Sequence, residues 1–163
     1  MSLNERKKRK KEFVPIDWER AEKIKEVLYY LYEINKRIPV IVEGKRDKKA
    51  LIDMGFEGKI ITLHSGKSIY EFTENIANNF EKVVLLIDWD EKGEQLYSKL
   101  CQNLLGMWED FASIREILKI LCQKEISEIE QIPALFSRIS GETLDVTKED
   151  IFADKIPFNS EYE

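Results

Sequence analysis

Five apolar residues, Val83 to Ile87, run without a break into Asp88, Trp89 and Asp90. A short run of β-branched residues and leucines predicts a strand buried on both faces, as in a parallel sheet. Side chains alternate along a strand, so Asp88 and Asp90 are expected on one side and Trp89 on the other. Two carboxylates on one face repel, and one is pushed toward neutrality unless a cation sits between them. Open α/β sheets bind ligands at the carboxyl ends of their strands. The pair is therefore a candidate Mg2+ site, because that ion takes a few carboxylate oxygens and keeps most of its waters.

Other segments supply the layers such a strand needs. Asp17 is a candidate N-cap for a leading helix, with Ala21, Ile24, Leu28 and Leu31 at helical spacing and Pro39 beyond its end. Ile38 to Val42 reads as a first buried strand with Glu43 and Gly44 at its carboxyl end, followed by a helix over 45–54. Residues 59–63 read as a second strand. Ser68 and Glu71 have capping-box spacing for the next helix, with Ile69, Phe72, Ile76 and Phe80 on its apolar face. The third strand is Val83 to Ile87, and a helix over 92–105 follows it. Met107 to Phe111 is weakly signalled as a fourth strand. Ser113 and Glu116 mark the start of a helix carrying Ile114, Ile117, Leu118 and Leu121. A last helix holds Ile129, Ile132, Leu135, Phe136 and Ile139, with Pro133 in its first turn. If the first and third strands are neighbours, Glu43, Asp88 and Asp90 converge at one sheet edge.

Charge divides the chain. Residues 1–12 carry six Lys/Arg against two Glu, whereas 125–163 carry three against ten Asp/Glu, within an overall charge of −5. The expected organisation is a basic tail over 1–16, an α/β domain with its leading helix over 17–124, and an acidic extension over 125–163. That extension is read as a helix plus a loosely ordered tail, a candidate surface for a protein partner. Arg6 to Lys11 reads as a solvated tail or a phosphate-binding arm. Apolar runs reach about five residues, so no span of a membrane is expected. Cys101 and Cys122 lack zinc-site spacing and read as free thiols in a reducing cytosol, making the cytoplasm the expected location. Gly66-Lys67-Ser68 is not a phosphate loop, because position 61 is isoleucine where that motif needs glycine. Lys67 at a helix start remains able to touch a phosphate, and His64 reads as an ordinary loop residue.

A strand ending in Glu43-Gly44-Lys45, then 45 residues later one ending in Asp88-Trp89-Asp90 and continuing Glu91-Lys92-Gly93-Glu94, resembles the Toprim domain. That domain is shared by topoisomerases, bacterial primases, OLD-type nucleases, recombination-mediator proteins and the ribonuclease that matures 5S ribosomal RNA. The resemblance runs over about Ile38 to Leu121, and the Gly-Glu after the aspartates is closest to the topoisomerase and maturation-ribonuclease versions. Each half of the motif is weak alone; their order and placement at strand ends make the match specific.

The resemblance implies a Rossmann-like fold, a mostly parallel sheet of about four strands flanked by helices. It implies Mg2+, with Mn2+ as a substitute, and a nucleic-acid substrate, RNA or DNA. Glu43, Asp88 and Asp90 match the catalytic residues, and the same three with Glu94 match the metal-binding set. For Glu94 the alternative role is a charge favourable near a helix N-terminus. Gly44 and Gly93 match the loop-shaping glycines. Lys45, Lys67, Lys92 and Arg115 are the candidate nucleic-acid contacts; a surface ion pair is the alternative for Arg115. Trp89 departs from the proline or glycine usual between the aspartates. Two functions follow as expectations: a metal-dependent nuclease or related phosphoryl-transfer enzyme, or a non-catalytic nucleic-acid- or protein-binding scaffold. A haloacid-dehalogenase-type phosphatase is disfavoured, since its Asp-x-Asp belongs on the first strand and Lys92 stands where it needs Thr or Val.

Overall fold

The computed structural model describes residues 17–63 and 66–148. Expectations placed on the basic tail, on His64 and on 149–163 lie outside these residues. Helix α1 (Asp17–Asn35) is followed by β1 (Val40–Val42), α2 (Lys45–Asp53), β2 (Ile60–Thr62), α3 (Ile69–Asn79), β3 (Val84–Leu85) and α4 (Glu91–Asn103). A 3-10 turn (Glu109–Phe111), α5 (Ala112–Cys122), a second 3-10 turn (Ile129–Gln131) and α6 (Ile132–Ser140) complete the order.

The described strands form one parallel sheet in the order β2-β1-β3. Val40 faces Ile60 on one side and Val84 on the other, and Ile41 faces Ile61 and Leu85. Leu86 N–H extends the ladder by donating to Ile41 O at 2.8 Å. The strand that carries Glu43 is thus the immediate neighbour of the strand that carries Asp88.

Alternation along the strands sends side chains into two separate cores. Val40, Val42, Val84 and Leu86 join the larger core with α1, α5 and α6. Ile41, Val83, Leu85 and Ile87 join the smaller one with α3 and α4. Burial on both faces explains why these runs are apolar throughout rather than alternating. The α1 stripe of Ala21, Ile24, Leu28 and Leu31 is buried as its spacing predicts, and Ser68 Oγ accepts Glu71 N–H at 3.1 Å to cap α3.

Three expectations are corrected. Met107 to Phe111 is no strand: it turns into the 3-10 segment, and among the described residues the sheet has three strands, not four. Met107 still meets the sheet end, its carbonyl accepting Val83 N–H at 3.0 Å and the residue joining the smaller core. Ser113 does not cap α5, which starts at Ala112. The stretch beyond Gly141 is not loose up to 148, because Leu144 and Val146 are buried and Val146 N–H donates to Met54 O at 2.9 Å. Among the described residues no helix is long and apolar enough to cross a membrane.

Candidate functional site

Alternation ends before the aspartates. Trp89 is buried in the larger core with Val84 and Leu86, the face that parity assigns to Asp88. The backbone has left β1 by this point: Trp89 N–H donates to Ser127 O at 2.9 Å and its indole Nε1 to Ile126 O at 2.7 Å. Asp88 and Asp90 therefore do not share a strand face. Asp90 instead caps α4, its Oδ1 accepting Gly93 N–H at 2.6 Å. Asp88 is 5% exposed and its Oδ1 accepts Ile129 N–H at 2.7 Å.

A carboxylate not singled out in the sequence completes the arrangement. Asp47, in the first turn of α2, is also 5% exposed. Its Oδ2 accepts Gly44 N–H at 3.2 Å and its Oδ1 accepts Glu130 N–H at 3.0 Å. The turn at 129–131 thus spends two N–H groups, which helix starts leave without intrahelical partners, on Asp88 and Asp47. Gln131 Oε1 accepts the N–H groups of Ser127 and Glu128, both at 3.1 Å, and holds that turn in place.

These carboxyl groups crowd one another. Burial pushes Asp88 up to about 7; the Ile129 N–H opposes this, while Asp47, Glu43 and Glu128 add to it. Glu43 is raised by burial, then by Asp90 and Asp47, with Lys92 opposing. Asp47 is raised by burial against the pull of its two backbone donors. Glu128 is raised first by its hydrogen bond with Glu130, then by burial and by the charges of Glu130, Asp90 and Asp47. A divalent cation reverses such shifts, because it replaces repulsion by attraction.

The donor set suits a hard cation. Every group is a carboxylate, and Glu43 Oε1 is buried without a hydrogen-bond partner. Among the described residues, however, no three His, Cys, Asp or Glu side chains are gathered into a ready-made metal cage. Glu43, Asp88 and Asp90 are brought to one sheet edge; their side chains are not drawn together on a common point.

Two expected site residues serve elsewhere. Arg115 is fully buried, so it does not reach a phosphate. The expected ion pair does form, with Glu94 at 2.8 Å and Glu116 at 3.6 Å, but from a buried guanidinium rather than a surface one. Its Nε donates to Ile87 O at 2.7 Å and its Nη2 to Asp88 O at 2.8 Å and Glu94 Oε1 at 2.8 Å. The guanidinium lies 3.9 Å from the Tyr97 ring centre. Arg115 therefore clamps the backbone that carries Asp88. Glu94 is committed to this clamp and to Lys119 Nζ at 3.2 Å. Burial pushes its carboxyl up, but Arg115 and Lys119 outweigh that and hold it below its ordinary range. Glu94 does not join the metal set.

The two glycines differ. A Cβ on Gly93 would lie 2.2 Å from Asp88 O, so only glycine lets α4 start against that carbonyl. Gly44 has φ −142°, an extended conformation open to any residue, and a Cβ there would meet only Asp47 Oδ2 at 4.0 Å. Gly44 is not needed for loop shape. Lys45, Lys67 and Lys92 are exposed. A groove of about 250 Å3 joins Glu43, Lys67, Ser68 and Lys92 with an apolar wall of Leu63, Ile69, Phe72 and Leu96.

The chain is 36% identical over 137 residues to a UPF0292 protein of Methanosarcina barkeri, spanning 80% of this chain and 92% of that one. UPF0292 proteins of Thermoplasma volcanium and Pyrococcus furiosus are 36% and 30% identical, over 64% and 77% of this chain and 87% and 90% of theirs. A solved protein structure from Aquifex aeolicus is similar with a TM-score of 0.54 at 31% identity, covering 65% of this chain and 94% of that one. No family model matches the chain.

Proposed function

The chain belongs to the UPF0292 family, and we propose that it is a Toprim-type, Mg2+-dependent protein acting on nucleic acid by nuclease or related phosphoryl-transfer chemistry. The observation that carries this reading is the β1–β3 pairing, which brings Glu43 beside Asp88 and Asp90 at the carboxyl edge of a parallel sheet. Glu43, Asp88 and Asp90 are the residues that would hold the ion; Mn2+ would substitute. Bound there, a divalent cation supplies charge neutralisation and Lewis-acid polarisation of a phosphodiester. Asp88 is oriented by Ile129 N–H and by the Arg115 clamp on its carbonyl. The alternative to a ligand role for Glu43 is proton transfer to or from the attacking or leaving oxygen, for which a carboxyl raised in the metal-free chain and an unpartnered buried oxygen suit it. Lys67 and Lys92 border the same groove and supply positive charge to the phosphate chain. The protein is read as working in the cytoplasm, with the acidic stretch 125–163 as a surface for a protein partner.

One observation favours a second reading, a non-catalytic nucleic-acid- or protein-binding scaffold: no three acidic side chains are gathered for metal among the described residues. Cleavage of labelled structured RNA, single-stranded DNA and duplex DNA separates the two, using wild type and Asp90→Asn with Mg2+, Mn2+ or chelator. Cleavage by wild type alone, and only with metal, supports the enzyme. Binding with no cleavage of any substrate supports the scaffold.

A further inference from the structure

The groove beside Glu43 has a composition that narrows what it takes. Its polar side carries Lys67, Ser68 and Lys92; its other wall is Leu63, Ile69, Phe72 and Leu96. Lys67 and Lys92 stand at the starts of two separate helices, α3 and α4, and converge on the groove from different segments. Neither lysine forms an ion pair among the described residues, although both lie near a strongly acidic edge. The volume, about 250 Å3, falls below the roughly 300–1,000 Å3 of pockets that enclose a whole small molecule. A ligand with one anionic end and one flat apolar end, forming part of a larger chain, matches all of these features.

We infer that this groove holds a single unpaired nucleotide, its phosphate between Lys67 and Lys92 and its base against Leu63, Phe72 and Leu96. The substrate class is then a single-stranded nucleic acid, or an unstacked nucleotide, rather than a continuous duplex. A base inside a duplex is stacked and paired, so its face cannot reach an apolar wall without being extruded. An unpaired base presents that face freely. The phosphate seated in this way lies next to Glu43, which also lines the groove. This inference rests on the proposed nucleic-acid function, but concerns binding rather than turnover.

The test is fluorescence anisotropy of the full chain in chelator, with a labelled single-stranded oligonucleotide and a duplex of the same sequence. The single strand is expected to bind at least tenfold more tightly. A nucleoside monophosphate is expected to compete better than ribose 5-phosphate, and both better than inorganic phosphate. The variant K67A/K92A, checked for an unchanged circular dichroism spectrum, is expected to weaken binding and to lower the salt slope by about 0.7 for each phosphate no longer neutralised. Equal binding of duplex and single strand overturns the inference. So does equal competition by ribose 5-phosphate and the nucleotide, or a double variant with unchanged affinity and salt slope. Cleavage with Mg2+ is scored separately. Selective binding without cleavage keeps the groove assignment and rejects the nuclease; metal-dependent cleavage without selective binding does the reverse.

Discussion

Asp88→Asn is expected to make the metal-free protein more stable at neutral and alkaline pH. The amide keeps an oxygen for Ile129 N–H, so the hydrogen bond at 2.7 Å survives while the charge is removed. In the folded chain the Asp88 carboxyl titrates at about 7, against an ordinary 3.8. Between those values the folded form holds a proton that the unfolded form has released. Stability therefore falls as pH rises from about 4 to 7 and levels off above that window. A gap of about three pH units corresponds to about 4 kcal/mol at most. That is a large part of the 5–15 kcal/mol typical of a domain. Urea unfolding in chelator at pH 5, 6, 7 and 8 measures it. Asp88→Asn is expected to match the wild type only below about pH 4, to exceed it by about 1–2 kcal/mol at pH 5 and by a few kcal/mol at pH 8. It should retain a shallower slope, because Glu43 and Asp47 are raised in the same sense. Added Mg2+ is expected to restore the wild type, by about 2.7 kcal/mol at one hundred times its dissociation constant, and to leave the variant unchanged. Parallel pH curves, or a variant less stable than wild type at pH 8 in chelator, would refute the argument that crowded carboxylates strain the metal-free site.

Gly93→Ala sets a Cβ against Asp88 O at 2.2 Å, and urea unfolding should show a loss of about 1–3 kcal/mol despite alanine's better helix propensity. Gly44→Ala meets open space, so the same assay should show a change within about 0.5 kcal/mol. Arg115→Met strips the side-chain donor from Ile87 O and Asp88 O and leaves Glu94 with Lys119, and a thermal melt should show a loss of about 3–5 kcal/mol. Arg115→Lys should recover little, since a single ammonium cannot span the three acceptors of the guanidinium fork.

The layout was legible where two constraints coincided. Apolar runs ending in acids located β1 and β3, and capping and periodicity located α1, α3, α4 and α6. The sequence could not show where β3 lets go of β1, so the opposite-sides expectation for Asp88 and Trp89 failed once Trp89 turned to pair with Ser127. Arg115 carried a readable signal: with Ile114, Leu118, Leu121 and Cys122 it occupies the buried stripe of α5. Its charge masked that placement, because a buried guanidinium is tolerated only where carbonyls wait for it. Asp47 stands three residues after Gly44, the spacing at which a first-turn acid reaches back to a cap N–H. Glu128 and Glu130 look, in sequence, like any other acids of a charged extension. Only long-range hydrogen bonds reveal that their turn closes the site.

Those bonds also fix when the site comes into being during synthesis. Asp88 gains its backbone donor from a residue 41 positions later, and Asp47 from one 83 positions later. At about 5–20 residues per second, Glu130 is made roughly 4 to 17 seconds after Asp47. A nascent chain that has finished its sheet still lacks the turn that staples its acids. The carboxylates are fastened late, once the turn at 129–131 has left the ribosome and docked.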